Sequence, residues 1–237
     1  MKIVAMDSSG LVASVAVIED DSMIAEYTVN YKKTHSQTLM PMLEDVVRMT
    51  ELDLKEVDAF AVAAGPGSFT GLRIGSATVK GLGLALDKPV IGVPTVDALS
   101  YNLWDSDKLI CPIMDARRNQ VYTGLYRFEN GEHVIVMAQA PMDITELMDR
   151  INELGEPVIF LGDGVPVYRE RILELANVQI LFAPAHMARQ RAGAVGVLAS
   201  RYFAEGRIES AAEHKPEYLR MSQAERERAE AAAAAKS

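Results

Sequence analysis

The residues that most often brace a fold covalently or hold a metal are scarce in this chain. Its one cysteine, Cys111, stands in the apolar run Leu109-Ile110-Cys111-Pro112-Ile113. That excludes a disulfide framework and reads as a buried, inert thiol in a reducing compartment. Of the four histidines, His35, His133, His186 and His214, no two stand at the H-x-x-x-H or H-E-x-x-H spacing that sets two imidazoles on one helical face. No metal site is expected. Positive charge is also short: 24 Lys and Arg against 33 Asp and Glu leave a net charge of -9. Autonomous nucleic-acid binding needs a basic footprint, so any RNA this chain serves is expected to be held by another protein. No uncharged apolar run approaches the roughly 18 residues of a spanning helix, and Asp7 follows the first apolar stretch before a signal-peptide core can form. A cytoplasmic protein without membrane association is the expectation.

What is plentiful is ordinary core material. With 237 residues, 49% hydrophobic and 24% charged, the chain is long enough for one large or two modest domains. Residues 2–7, 11–19 and 23–30 are β-rich runs joined by Ser-Ser-Gly and Glu-Asp-Asp turns, so three antiparallel strands open the fold. Helical periodicity follows over 36–51, a buried strand over 57–64, a helix over 71–87, a strand over 89–93 and a helix over 95–104. The order is β-β-β-α-β-α-β-α. A second set begins with strands at 109–115, 121–128 and 133–139, and continues with helices at 144–154 and 168–176 around a strand at 157–161. Both halves open alike, which predicts an α/β protein of paired mixed sheets flanked by helices, divided at 1–103 and 104–224. A last amphipathic helix spans 192–205. The tail at 225–237, acidic and alanine-rich, has nothing large to bury and is expected to be frayed or disordered.

The most specific stretch is 65–75, GPGSFTGLRIG, running from a strand into a helix. Gly65, Gly67 and Gly71 allow close approach of a backbone or an anion, and Ser68 or Thr70 is placed to cap the helix. The loop could cradle a phosphate or be a tight turn without ligand; it lacks the lysine of a P-loop and a full G-x-G-x-x-G. Asp7-Ser8-Ser9-Gly10 is either a second phosphate turn or an Asx turn. Asp115-Ala116-Arg117-Arg118, at the hairpin opening the second half, has long cations where a phosphate loop would carry glycine. Gly162-Asp163-Gly164 could hold a nucleotide's adenine or be a plain turn. Ser68 lacks the G-x-S-x-G elbow, and no catalytic residue is assigned.

The two helices of the first half have apolar surface to spare. Apolar positions on 36–51 spread over about 180°, against the ~100° that packing on a sheet requires. Leu39, Met40, Leu43 and Val47 there, with Leu72, Arg73, Val79 and Leu82 on 71–87, are expected to meet a partner.

The 65–75 motif, Asp115-Ala116-Arg117-Arg118 with Val121-Tyr122, and Tyr218-Leu219-Arg220-Met221-Ser222-Gln223-Ala224-Glu225 make the chain, to about Glu225, resemble the TsaB (YeaZ) family. The resemblance implies two actin-like (ASKHA, ribonuclease H-like) subdomains, the last helix packing back on the first. It implies a cytoplasmic, non-catalytic subunit needed to form threonylcarbamoyladenosine beside the anticodon of tRNAs reading codons that begin with A. Such a subunit pairs through its first two helices with TsaD, which carries the metal and transfers the threonylcarbamoyl group, and works with the ATPase TsaE. The tRNA would be met indirectly, through the complex. TsaD's H-x-x-x-H pair has no counterpart in residues 93–100 here. No cofactor is expected on this chain itself, though ATP or ADP could sit at a partner interface. Asp7, Gly65, Gly67, Ser68, Thr70, Gly71, Asp115, Arg117 and Arg118 would then form a vestigial nucleotide site or a partner site. The competing expectations are an actin-fold ATPase or small-molecule kinase using Asp7, Asp115 and the glycine loop, and a homodimer formed when TsaD is absent.

Overall fold

Strands β1 (Lys2–Asp7) and β2 (Ala13–Glu19) are buried along nearly their whole length, the signature of a sheet covered on both faces. β1 pairs antiparallel with β2, and β2 with β3 (Ser22–Val29); β4 (Ala59–Gly65) runs parallel to β1, and β5 (Val90–Pro94) parallel to β4. The computed structural model describes residues 1–219, so the expected tail at 225–237 and most of the late motif lie outside the described residues. The first sheet has the order β3-β2-β1-β4-β5.

The second sheet repeats this plan. β6 (Leu109–Asp115), β7 (Gln120–Glu129) and β8 (Glu132–Asp143) are antiparallel; β9 (Val158–Leu161) and β10 (Ile180–Phe182) add in parallel, giving β8-β7-β6-β9-β10. These are two actin-like units. β10, which sequence periodicity did not signal, is three half-buried residues long.

The helices are shared between the units. α1 (His35–Thr50) and α2 (Phe69–Leu86) pack on one face of the first sheet, against Val4, Met6, Val15, Phe60 and Val62. The opposite face is covered by α6 (Ala192–Ala204), which comes after the second unit and sets Val195, Leu198 and Ala199 against Ile3, Ala5 and Ala61. α3 (Thr95–Ser100), from the first unit, sets Val96 and Leu99 against Ile110, Met114 and Tyr126 of the second sheet. α4 (Ile144–Leu154) and α5 (Val165–Leu175) cover the second sheet's other face. Polar bonds join the units where α3 crosses: the Tyr126 hydroxyl donates to Asp97 Oδ1 at 2.7 Å, and Ser100 Oγ lies 2.7 Å from His133 Nε2.

Two helix boundaries differ from expectation. The helix expected over 95–104 stops at Ser100, whose hydroxyl bonds back to the Asp97 carbonyl, and continues as a 3-10 turn, Tyr101–Leu103. The helix expected from 168 begins at Val165, with Pro166 in its first turn, where a missing N–H costs nothing.

One expectation about surface is corrected. Leu39, Leu43, Leu72 and Val79, expected to meet a partner, are at most 2% exposed: Leu39, Leu43 and Val79 belong to the core of the first unit, and Leu72 is buried beside Gly65. The 180° apolar arc of α1 contains the half that the sheet takes as well as the half left over, and Leu39 and Leu43 are on the sheet's half. Charged substitutions there would unfold the chain rather than only weaken an association.

Candidate functional site

Between the two units lies a cleft of about 1130 Å³, lined by the Ser9–Gly10 turn, His35, the glycine loop, the tip of the β6–β7 hairpin, Asp163 and Glu217. Asp7 ends β1 beneath it and is 1% exposed. Its Oδ1 accepts the Ser9 N–H at 2.8 Å and the Ser9 hydroxyl at 2.6 Å, an Asx turn. Burial pushes this carboxyl up to about 6, against the pull of the Ser9 hydrogen bonds. Asp163, on the turn after β9, is also raised, by burial first, and its Oδ1 accepts the Asp115 N–H at 3.3 Å.

The glycine loop is occupied by the chain's own backbone. A Cβ on Gly67 would overlap the Ser9 carbonyl oxygen, and one on Gly71 the Ser8 carbonyl oxygen. The Ser68 N–H donates to the Ser9 carbonyl at 2.6 Å, and Ser8 Oγ donates to the Gly71 carbonyl at 2.9 Å. Ser68 caps α2, its hydroxyl accepting the Gly71 N–H at 3.3 Å, while Thr70 is exposed and caps nothing. Gly65, at φ +129°, packs against the Glu217 carbonyl. Of the two readings of this loop, the tight turn explains every glycine without a ligand.

The C-terminal segment closes over that turn. The Glu217 N–H donates to the Ala64 carbonyl at 2.7 Å, Tyr218 stacks 4.7 Å from Phe69, and Arg73 lies over the Phe69 ring with its Nε donating to the Tyr218 hydroxyl. Arg73, expected at a partner surface, is therefore held by its own chain, although exposed.

At the hairpin, Asp115 Oδ1 accepts the Arg117 N–H at 2.8 Å. Arg117, Arg118 and Asn119 all take left-handed backbone, φ +63°, +56° and +59°, and their side chains are exposed. Asp7 and Asp115 thus end equivalent strands in the two units, one turned into the core and one at the surface.

Two glutamines here went unnoticed in the sequence, and His35, which opens α1, was read there as one of four scattered histidines. His35 Nε2 lies 2.8 Å from the Gly10 carbonyl, leaving Nδ1 buried and unpartnered. Gln190, 1% exposed, has neither amide atom hydrogen-bonded and abuts Gly10 beside Asp163. Gln139 donates to the Gly65 carbonyl and to Glu217. Nothing local marks a lone glutamine, in a loop as Gln190 or on a strand as Gln139, as a cleft residue. Among the described residues no three His, Cys, Asp or Glu side chains gather as metal ligands. No helix among them is long and apolar enough to cross a membrane.

The expected docking helices keep a reduced apolar face. Met40 is 49% exposed and Leu84 63%; Val47 and Leu82 are half-buried. On α2 the exposed positions Arg73, Ala77, Gly81 and Leu84 recur at helical spacing, and a Cβ added at Gly81 would meet nothing within 4 Å.

Comparison with known proteins follows this geometry. A family model described as TsaD: tRNA N6-adenosine threonylcarbamoyltransferase matches residues 22–228. The tRNA threonylcarbamoyladenosine biosynthesis protein TsaB of Bacillus subtilis is 32% identical over 95% of this chain and 96% of its own length. That of Escherichia coli is 29% identical over 93% and 95%. The solved structure of YeaZ from Pseudomonas aeruginosa superposes with a TM-score of 0.79 at 26% identity, covering 92% of this chain and 99% of that one.

Proposed function

The chain belongs to the TsaB (YeaZ) family of tRNA threonylcarbamoyladenosine biosynthesis proteins, and on that footing we propose that it is a non-catalytic scaffold for TsaD. The observation that carries the docking is the exposed face of α2, Ala77-Gly81-Leu84, together with exposed Met40 on α1. Small residues let a partner helix approach closely, and apolar ones gain from losing water. The scaffold role is supported by the glycine loop, whose space is taken by the Ser8 and Ser9 carbonyls rather than left for a phosphate. In this reading TsaD supplies the metal and the transfer chemistry, TsaE joins the assembly, and tRNA is engaged by the complex as a whole. ATP or ADP would sit at a partner interface, and the same α1–α2 face would pair two copies when TsaD is absent.

Mixing purified chain with TsaD and TsaE should restore threonylcarbamoyl transfer to tRNA that none of the three performs alone. Transfer by this chain without TsaD would sink the proposal. The alternative, an actin-fold ATPase or small-molecule kinase, is favoured by one observation, the 1130 Å³ cleft with buried Asp7 beneath it and half-buried Asp163 in its lining. Calorimetry separates the two: saturable Mg-ATP binding by the isolated chain, with turnover, supports the enzyme.

A further inference from the structure

A second cavity, of about 640 Å³, opens on the outer side of the β6–β7 hairpin, between that hairpin and helices α4 and α5. We propose that it is a contact site for the phosphodiester backbone of RNA. The inference rests on the family reading for the identity of the polymer, and on the cavity's own chemistry for the phosphate.

Arg117 and Arg118 reach it from the hairpin and Arg171 from α5, with Asn119 and Thr145 beside them. Three guanidinium groups around one cavity run against a chain whose acids outnumber its bases 33 to 24. Asp115 lines the cavity itself and Asp143 stands beside Thr145, and both carboxylates already accept hydrogen bonds. Asp115 Oδ1 accepts the Arg117 backbone N–H and, at 3.3 Å, the Tyr168 hydroxyl. Asp143 Oδ1 accepts the Thr145 N–H at 2.8 Å. Only Arg171 has an ionic partner, Glu174 at 3.1 Å, and that pair is at least half exposed. Among the described residues the side chains of Arg117 and Arg118 form no ion pair.

The same bonds argue for a diester rather than a nucleotide triphosphate. A triphosphate, with its concentrated charge, is held by a row of free backbone N–H groups, usually on glycines. Here no glycine lines the cavity, and the amides of Arg117, Ile144 and Thr145 are already donated, to Asp115, the Asn119 carbonyl and Asp143. What remains are forked cations on long stems, which match single phosphates spaced along a strand and position it without reading its sequence. The net charge of -9 keeps such binding weak in the free chain, and a partner that already holds the RNA strengthens it by proximity.

The test is fluorescence anisotropy with a labelled tRNA anticodon stem-loop, added to the full chain alone and to its complex with TsaD, at about 50 and about 200 mM salt. Arg117→Gly/Arg118→Gly suits the left-handed backbone, and Arg171→Gln leaves α5 intact. A Lys55→Ala control removes a remote exposed cation. The account expects the double variant to weaken RNA binding by roughly tenfold or more, Arg171→Gln less, and Lys55→Ala not measurably. Each arginine lost should lower the slope of log K against log salt by about 0.7–0.9. Melting temperature should not fall, and TsaD capture should stay unchanged. Equal affinity and slope in wild type and double variant would overturn the proposal, as would failure of both wild-type forms to bind the stem-loop at the lower salt. Loss of TsaD or TsaE capture with RNA binding intact would assign the cavity to a protein; arginine-dependent ATP binding by calorimetry would assign it to a nucleotide. Because wild-type capture of TsaD is scored separately, failure of the family's docking would be seen as such.

Discussion

The two hairpins that open the two units begin identically and end in opposite places. Asp7 and Asp115 each close β1 or β6, and each accepts the N–H two residues on, at 2.8 Å. In the first unit the turn is sealed by the glycine loop, so the Ser8 and Ser9 carbonyls occupy the space a phosphate would need. In the second the turn is exposed among the described residues and presents Arg117 and Arg118 at the surface. A duplicated architecture has thus kept a turn while losing the shared use of it: one copy became core, the other surface.

The largest effect should come from breaking the seal. Gly71→Ala drives a methyl into the Ser8 carbonyl, a backbone atom that cannot swing aside, and should cost about 3 kcal/mol or more in urea unfolding. An unchanged unfolding midpoint would mean that the loop and turn are not in contact.

Next is the buried carboxylate. Asp7 titrates near 6 in the folded chain against an ordinary 3.8, so the folded state holds the proton more tightly. Its contribution is fully present below about pH 4 and lost as pH rises through 6. Asp7→Asn keeps an oxygen for both Ser9 hydrogen bonds and removes that loss. The variant should gain on the order of 2–3 kcal/mol over wild type at pH 8 and little at pH 4, read from melting curves at both values. A difference independent of pH would refute the burial argument.

The smallest effect lies at the other hairpin. Arg118 sits at φ +56°, where glycine has no steric penalty, so Arg118→Gly should be neutral or stabilise by up to about 1 kcal/mol. Marked destabilisation there would show that the Arg118 side chain braces the turn rather than standing free at the surface.

How far the sequence announced all this differs between the same regions. Three strands opening each half, then α/β alternation, were legible from periodicity and turn residues, because each strand's pattern is local. The glycine loop was legible as a loop, but its purpose was not: the atoms that demand Gly67 and Gly71 belong to Ser8 and Ser9, some sixty residues earlier. Neighbours Leu39 and Met40 show the same limit on a helix, since both are apolar and only the sheet beneath decides that one is buried and the other half exposed. The exchange of α3 and α6 between units is likewise a matter of tertiary packing. Gly196 lets α6 lie against Ile18, where a Cβ would come within 2.5 Å, and no spacing rule points to that strand.

The scaffold account is tested most directly at Gly81, on the exposed face of α2. A Cβ there enters open space and arginine is the better helix former, so Gly81→Arg should leave the melting temperature equal or higher. Affinity for TsaD, measured by titration with the purified partner, should fall by at least about 30-fold, the loss expected when a central contact is blocked. Wild-type affinity in a folded Gly81→Arg variant would contradict the docking face, and with it the role proposed for this chain.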